Sequence, residues 1–357
     1  MKTNLLNFKL KGNGCGTFKI IFPGPYCLEY ENKQFGLCHV IEHCMCERVK
    51  EIENELNMNG IVWNGWTTPH FVCFYISGLN HNVKKMINKF LDCIMNYSIS
   101  EEVFNREIKI IKEEYYKYYT LPDDIFRYNF HLKKFGIYEP IGSIENIENF
   151  TYNEMLDFKN KYFNKPLLLC YSHPKTSNDI SIEQLSVPIE FSSEYPIKEF
   201  FLGDYNEYKT IENKPNENNS IIKFYTVIDV DSSKDDAMLY LFSQIIGNGL
   251  SGPLYQEFRE KHGDVYSITR NLMIINEKQV AFLIDLTTTN DPEPIKDKLE
   301  KFFKSADKFI NRETFKIGYK NIQNGMKMEE YLSLDYDFEK RTNEYRKYFL
   351  SKDNKIE

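Results

Sequence analysis

The stretch Cys38-His39-Val40-Ile41-Glu42-His43-Cys44 lies in a run from about Gln34 to Val49 that reads as a helix. Helical positions three and four apart share a face, so His39, Glu42 and His43 project the same way. Two neutral imidazoles one turn apart suit a single zinc ion. A carboxylate beside them, not itself a ligand, suits proton abstraction from a zinc-bound water. This is the H-E-x-x-H protease arrangement with its order inverted. The competing reading is a surface helix with two unrelated histidines and a salt-bridging Glu42. Cys46 shares the face, three residues after His43. It reads first as a core thiol, because this helix must bury one side, and second as a metal ligand.

A chain of 357 residues is long for one domain, so two are expected. Hydrophobic residues make up 42%, enough for packed cores, and the net charge of −7 argues against a nucleic-acid partner. No apolar run reaches the length that spans a bilayer. Met1–Lys11 alternates polar and apolar residues without a signal-peptide core, which makes a cytosolic location the expectation. All eight cysteines fall between Cys15 and Cys170 and read as core thiols of a reducing compartment.

Along the chain, Leu6–Leu10 and Thr17–Phe22 read as a β-hairpin turning at Gly12, Gly14 and Gly16. After the motif helix come a short helix over Glu51–Asn57, a strand pair (Ile61–Thr67, His70–Ile76) and an amphipathic helix, Val83–Met95. Glu101–Tyr119 is a further helix, with Ser100 as its N-cap. Its residues Val103, Glu107, Ile110, Glu114 and Tyr118 form one stripe in which two carboxylates interrupt an apolar face. Such carboxylates need a cation or donors. Either they make a salt bridge at the edge of the core, or Glu114 is a third zinc ligand and Glu107 supports a ligand. A helix over Asp124–Lys134, another near Tyr152–Tyr162 and a strand at Leu167–Tyr171 follow. Polar, irregular residues 176–219 read as a linker. Ile221–Val230, Asp235–Ile246, Pro253–Lys261, Val265–Met273, Gln279–Thr288, Glu293–Phe309 and Arg312 to about Lys347 then repeat the first part's strands and helices. The expected fold is α+β, with two similar domains of antiparallel sheet packed with helices. They span residues 1–180 and 217–357, joined by a linker at 181–216.

These residues resemble the inverted-zincin peptidases of the insulinase, pitrilysin and mitochondrial processing peptidase group. Gly36-Leu37-Cys38-His39-Val40-Ile41-Glu42-His43 looks like the family's glycine, apolar pair and H-x-x-E-H. Asn64-Gly65-Trp66-Thr67 looks like its Asn-Ala-x-Thr strand. Arg106-Glu107 through Glu114, then Pro122-Asp123-Asp124, is similar to its paired-glutamate helix and downstream Pro. Tyr138–Ile147 is similar to its Pro-(apolar)-Gly-x-x-Glu segment. Gly247-Asn248-Gly249, Pro253-Leu254-Tyr255, Arg259 and Tyr266 look like its glycine turn, helix start and Arg/Tyr pair. The departures are Gly65 in place of Ala, cysteines flanking the zinc motif where bulky apolar residues are usual, and a second domain expected to lack a final strand.

The resemblance implies a half-clamshell with Zn2+ held by His39, His43 and Glu114. It implies Glu42 as base and Glu107 as an aid to the site. A peptide strand would dock at Asn64 and Gly65. Arg259 and Tyr266 would assist across a closed chamber at a partner's zinc, in a homodimer or in a heterodimer with a related chain. The implied activity is cleavage of peptides or unfolded segments, with maturation of a small ribosomally made peptide as one use. The alternative is a non-catalytic scaffold or peptide-binding subunit of a heterodimeric peptidase.

Overall fold

The computed structural model describes residues 4–10, 14–30, 33–119, 125–126, 128–130, 132, 136, 138–192, 220–230, 233–247, 252–276, 279–309 and 311–332. Several expectations lie outside these: the Pro122-Asp123-Asp124 helix start, most of the linker, Asn248-Gly249 and the chain beyond Leu332. The chain divides into two compact units. One comprises Met1–Tyr118, Tyr138–Lys198 and Glu329–Glu357; the other comprises Tyr119–Ile137 and Glu199–Met328. The α+β architecture is present in both.

The first unit is built on five strands: β1 (Leu5–Leu10), β2 (Cys15–Pro23), β3 (Val62–Thr67), β4 (Phe71–Leu79) and β5 (Leu168–Pro174). Their order is β1-β5-β2-β4-β3. All neighbours are antiparallel except β1 and β5, which run parallel. The hairpin expected between β1 and β2 does not form, because β5 lies between them. Every residue of β5 is buried, and a strand buried on both faces stands inside a sheet, not at its rim. β3 and β4 pair as expected, but β4 begins at Phe71. His70 instead joins a turn in which Thr68 Oγ1 accepts from the backbone N–H of His70 and Phe71.

The helices of this unit include α1 (Leu37–Val49), α2 (Asn80–Met95), α3 (Glu101–Tyr118) and α4 (Tyr152–Tyr162), with shorter ones at Glu53–Met58 and Ile144–Asn149. α2 packs on β2 and β4, and α1 packs on β3 and α3. Phe18, Ile20, Phe22, Phe74 and Ile76 are fully or almost fully buried, with Phe22 stacked on Phe163 at 5.2 Å between ring centroids. α4 carries the full capping box, Thr151 exchanging hydrogen bonds with Glu154.

The motif helix starts three residues later than its hydrophobic pattern suggests. Gly36 takes the N-cap with φ at +104°, a conformation that favours glycine. A Cβ there would also stand 2.6 Å from the Ile141 carbonyl. The helix N-terminus is closed by Glu29, a buried side chain whose two oxygens accept from the backbone N–H of Gly36 (2.9 Å) and Cys38 (2.6 Å). Burial pushes the Glu29 carboxyl up to about 7, with the backbone donors pulling the other way. The folded chain therefore holds a proton that the unfolded chain has released between about pH 4.5 and 7. Stability from this group should fall as pH rises through that window, by no more than about 3 kcal/mol. Thermal melts of wild type and Glu29→Gln from pH 5 to 8 check this: the slope should flatten in the variant, and an unchanged slope would assign the effect elsewhere.

Among the described residues, the second unit has three antiparallel strands of ten residues in the order β6-β8-β7: β6 (Ser220–Asp229), β7 (Ser267–Asn276) and β8 (Gln279–Thr288). Its helices include α5 (Ser233–Ile246), α6 (Pro292–Lys304) and most of α7 (Arg312–Leu332). Its core joins Ile222, Phe224, Phe282, Ile284, Leu299 and Phe302. Lys223 is buried against Asp285 at 2.6 Å, a cross-strand pair that sets the register of β6 on β8.

Candidate metal and active site

α1 presents His39, Glu42 and His43 on one face, and their ligand atoms all lie within 4.8 Å of one another. α3 brings Glu114 against them. Its Oε2 stands 3.4 Å from His43 Nε2 and 3.8 Å from His39 Nε2. Donor atoms of a tetrahedral zinc site with bonds of about 2.0–2.2 Å stand roughly 3.3–3.6 Å apart. The separations of Glu114 from both imidazoles therefore fit a shared ion to within a few tenths of an ångström. The donor set, two imidazoles and one carboxylate, matches the protein ligands of an open catalytic zinc site. His39 Nδ1 is buried without a partner among the described residues, and Nε2 is the nitrogen turned toward the carboxylates.

Glu107 lies two turns before Glu114 on α3. It is buried, and its Oε2 is 3.3 Å from His43 Nδ1. Its other oxygen accepts from Arg106 Nε at 3.0 Å, and Arg106 also pairs with Glu47. These cationic and polar partners hold Glu107 ionised, below its usual carboxylate range, despite burial. Burial alone would lower His43, but hydrogen bonds to Glu107 and Glu114 outweigh it and lift the imidazole to about 10. Burial and then the His43 charge push His39 down to about 4. A cation bound by both imidazoles would compete with protons for them.

Glu42 is buried, and burial raises its carboxyl above the usual value. Each of its oxygens has one donor: Cys46 Sγ at 3.5 Å from Oε1 and Thr67 Oγ1 at 3.4 Å from Oε2. Burial, then the adjacent Glu42, pushes the Cys46 thiol well above its ordinary value, so it is a donor rather than a thiolate.

The stripe expected on α3 is rotated. Phe104, Glu107 and Ile111 are buried, and Glu114 continues that line, whereas Ile110 and Tyr118 are exposed. Spacings of three and four allow two adjacent stripes on one helix. Packing against α1 and the short Ile144–Asn149 helix selects the one through Phe104 and Ile111. Both glutamates keep the site-facing positions.

Gly65 lies against α1. A Cβ there would stand 2.5 Å from Glu42 Oε1 and 2.8 Å from Cys46 Sγ. β3 is a terminal strand of its sheet, with Asn64 paired to Tyr75 and Asn64 Oδ1 accepting from Gly65 N–H. In the second unit the Arg259 guanidinium lies 5.0 Å from the Tyr255 ring centroid and 5.3 Å from that of Tyr266. Arg259 donates to the Tyr266 carbonyl at 2.7 Å, and Tyr266 is exposed. Sequence reasoning assigned no role to Thr67 or Arg106. Thr67 was findable from its place two residues after Gly65, on the same side of a strand. Arg106 was visible only as the neighbour of Glu107.

The sequence and fold of this chain are similar to those of known proteins. Residues 29–143 match the family model for insulinase (peptidase family M16), and residues 149–316 match the model named peptidase M16 inactive domain. An uncharacterized zinc protease of Rickettsia felis is 24% identical over 298 residues, covering 81% of this chain and 71% of that protein. The uncharacterized zinc protease YmxG of Bacillus subtilis is 19% identical over 246 residues, covering 65% of this chain and 59% of that protein. Among solved structures, a protease from Helicobacter pylori superposes with a TM-score of 0.76 at 16% identity, covering 97% of this chain and 90% of that one. The peptidase M16 inactive domain protein from Pseudomonas fluorescens gives a TM-score of 0.67 at 12% identity, covering 96% and 88%. No helix among the described residues is long and apolar enough to cross a membrane. Two consecutive family models, the fold and the helix-borne His-Glu-His cluster agree: the chain belongs to the insulinase family of peptidases, M16.

Proposed function

We propose that this chain is a zinc endopeptidase acting on peptides or unfolded segments. One observation carries the reading. A buried carboxylate, Glu42, is held by its own donors beside a separate donor set of His39, His43 and Glu114, so base and ligands are distinct groups. A structural zinc site is closed by four protein ligands, whereas three leave a position for water. When bound, zinc polarises the scissile carbonyl and lowers the pKa of its water.

The chain's own residues do the rest. Glu107 accepts from His43 Nδ1 and so keeps Nε2 free for the ion. Glu42 accepts the proton of the attacking water and passes it to the leaving amine. The outer edge of β3 takes the peptide as an added strand, at Asn64 and Gly65. Incubating the protein with a mixed peptide library, with and without a chelator, tests this by mass spectrometry. Chelator-sensitive cleavage is expected. Bound zinc with no cleavage of any peptide would favour a scaffold or peptide-binding subunit.

Arg259 and Tyr266 belong to the same proposal as donors to the developing oxyanion, contributed by a second copy in a two-fold dimer. Glu42→Gln and Arg259→Ala proteins, each inactive alone, should regain part of the activity when mixed. No recovery despite demonstrated subunit exchange would leave a heterodimer with a related chain, or a monomer. A cytosolic location is consistent with the seven described cysteines, all free thiols.

A further inference from the structure

We propose that Cys46 is a positioning residue: its thiol sets the orientation of the Glu42 carboxylate, and the absent side chain of Gly65 makes room for that contact. The inference rests on the reading of Glu42 as the base. Cys46 lies one turn after Glu42 on α1, and its Sγ reaches Oε1 at 3.5 Å. Thr67, on β3, reaches Oε2 at 3.4 Å. The carboxylate is thus held at one oxygen by the helix that carries it and at the other by the neighbouring strand. Two donors on two elements define the plane of the group, which a single donor would leave free to rotate about its last bond.

The strand is shaped to this arrangement. Any Cβ at position 65 would meet Glu42 Oε1 at 2.5 Å and Cys46 Sγ at 2.8 Å at once. The obstacles are the ends of two side chains and not backbone, so a methyl there would push both aside and leave the fold standing. Glycine at position 65 and cysteine at position 46 therefore meet in space at one carboxylate. Burial beside Glu42 keeps the thiol protonated, as a donor must be.

The test uses the full-length protein and the variants Cys46→Ala, Cys46→Ser, Gly65→Ala and the Cys46→Ala/Gly65→Ala double. The first readout needs neither metal nor activity. The Raman S–H band that disappears in Cys46→Ala should lie below the frequency of a free thiol, and Glu42→Gln should move it upward, because an amide oxygen accepts more weakly than a carboxylate. The second readout is kinetic. Cys46→Ala should keep its zinc and its KM on a cleaved peptide while losing about three- to tenfold in kcat, the value of one modest hydrogen bond. Cys46→Ser should recover most of that loss, since a hydroxyl donates from the same place. A thiol that merely filled space would give the reverse order, with Ala tolerated better than Ser and the loss appearing in stability. Gly65→Ala should cost more than Cys46→Ala. The double variant should fall short of the sum, because one contact is lost by two routes. An S–H band indifferent to Glu42→Gln, or wild-type kcat in Cys46→Ala, overturns the proposal. If wild type cleaves no peptide, the peptidase reading fails on its own, and the S–H band still decides whether the thiol holds Glu42.

Discussion

Glu42→Gln protein should bind zinc, fold as wild type does and turn over peptides at least about a hundredfold more slowly. The amide has nearly the size and shape of the carboxylate, so the packing of Glu42 between α1 and β3 survives. Oε1 still accepts from Cys46 if the amide is oriented with oxygen toward the thiol. An amide does not take a proton at neutral pH, and that is the function assigned to this side chain. The folded structure isolates this effect well. Glu42 approaches only the His39 member of the donor set closely, at 3.9 Å, while Glu114 reaches both histidines. Zinc content by elemental analysis, thermal melts and steady-state cleavage are measured on one preparation. Wild-type cleavage by a homogeneous variant would move the base elsewhere.

Glu114→Ala should lose most of its metal, more than about a hundredfold in affinity. Glu107→Ala should lose about ten- to hundredfold, the usual cost of removing a carboxylate that braces a ligand histidine. The grading follows from the geometry. Glu114 Oε2 stands at ligand-to-ligand distance from both imidazoles, whereas Glu107 touches His43 only through Nδ1, on the far side of the ring. His39→Ala should resemble Glu114→Ala, since each deletion leaves two protein donors. Competition against a chromophoric chelator reads the affinities directly. Stoichiometric zinc at normal affinity in Glu114→Ala would remove it from the ligand set and turn attention to Glu107. The converse order, Glu107 more costly than Glu114, would exchange their roles.

The local parts of this protein are legible in its sequence. His39, Glu42 and His43 share a face because helical spacing alone puts them there, whatever surrounds the helix. The long strands and amphipathic helices show in their periodicities for the same reason, since each pattern is complete within about ten to twenty residues. Glu107 and Glu114 are also visible, seven apart on one helix.

Tertiary structure decided the rest. Nothing within residues 5–23 says that β5, some 150 residues on, separates β1 from β2. The α3 pattern allows two stripes, and only packing against α1 and the Ile144–Asn149 helix picks the one that buries Phe104 and Ile111 and exposes Ile110 and Tyr118. Glu29 looks like an ordinary charged residue until the fold buries it under the start of α1, where the unpaired N–H groups of a helix terminus require an acceptor. Cys46 could bind metal, fill core or donate, as far as its position shows. In the fold, Cys46 meets Glu42 where β3 brings Gly65 and Thr67 against the same carboxylate, and that contact spans a sequence separation over which no periodicity carries information.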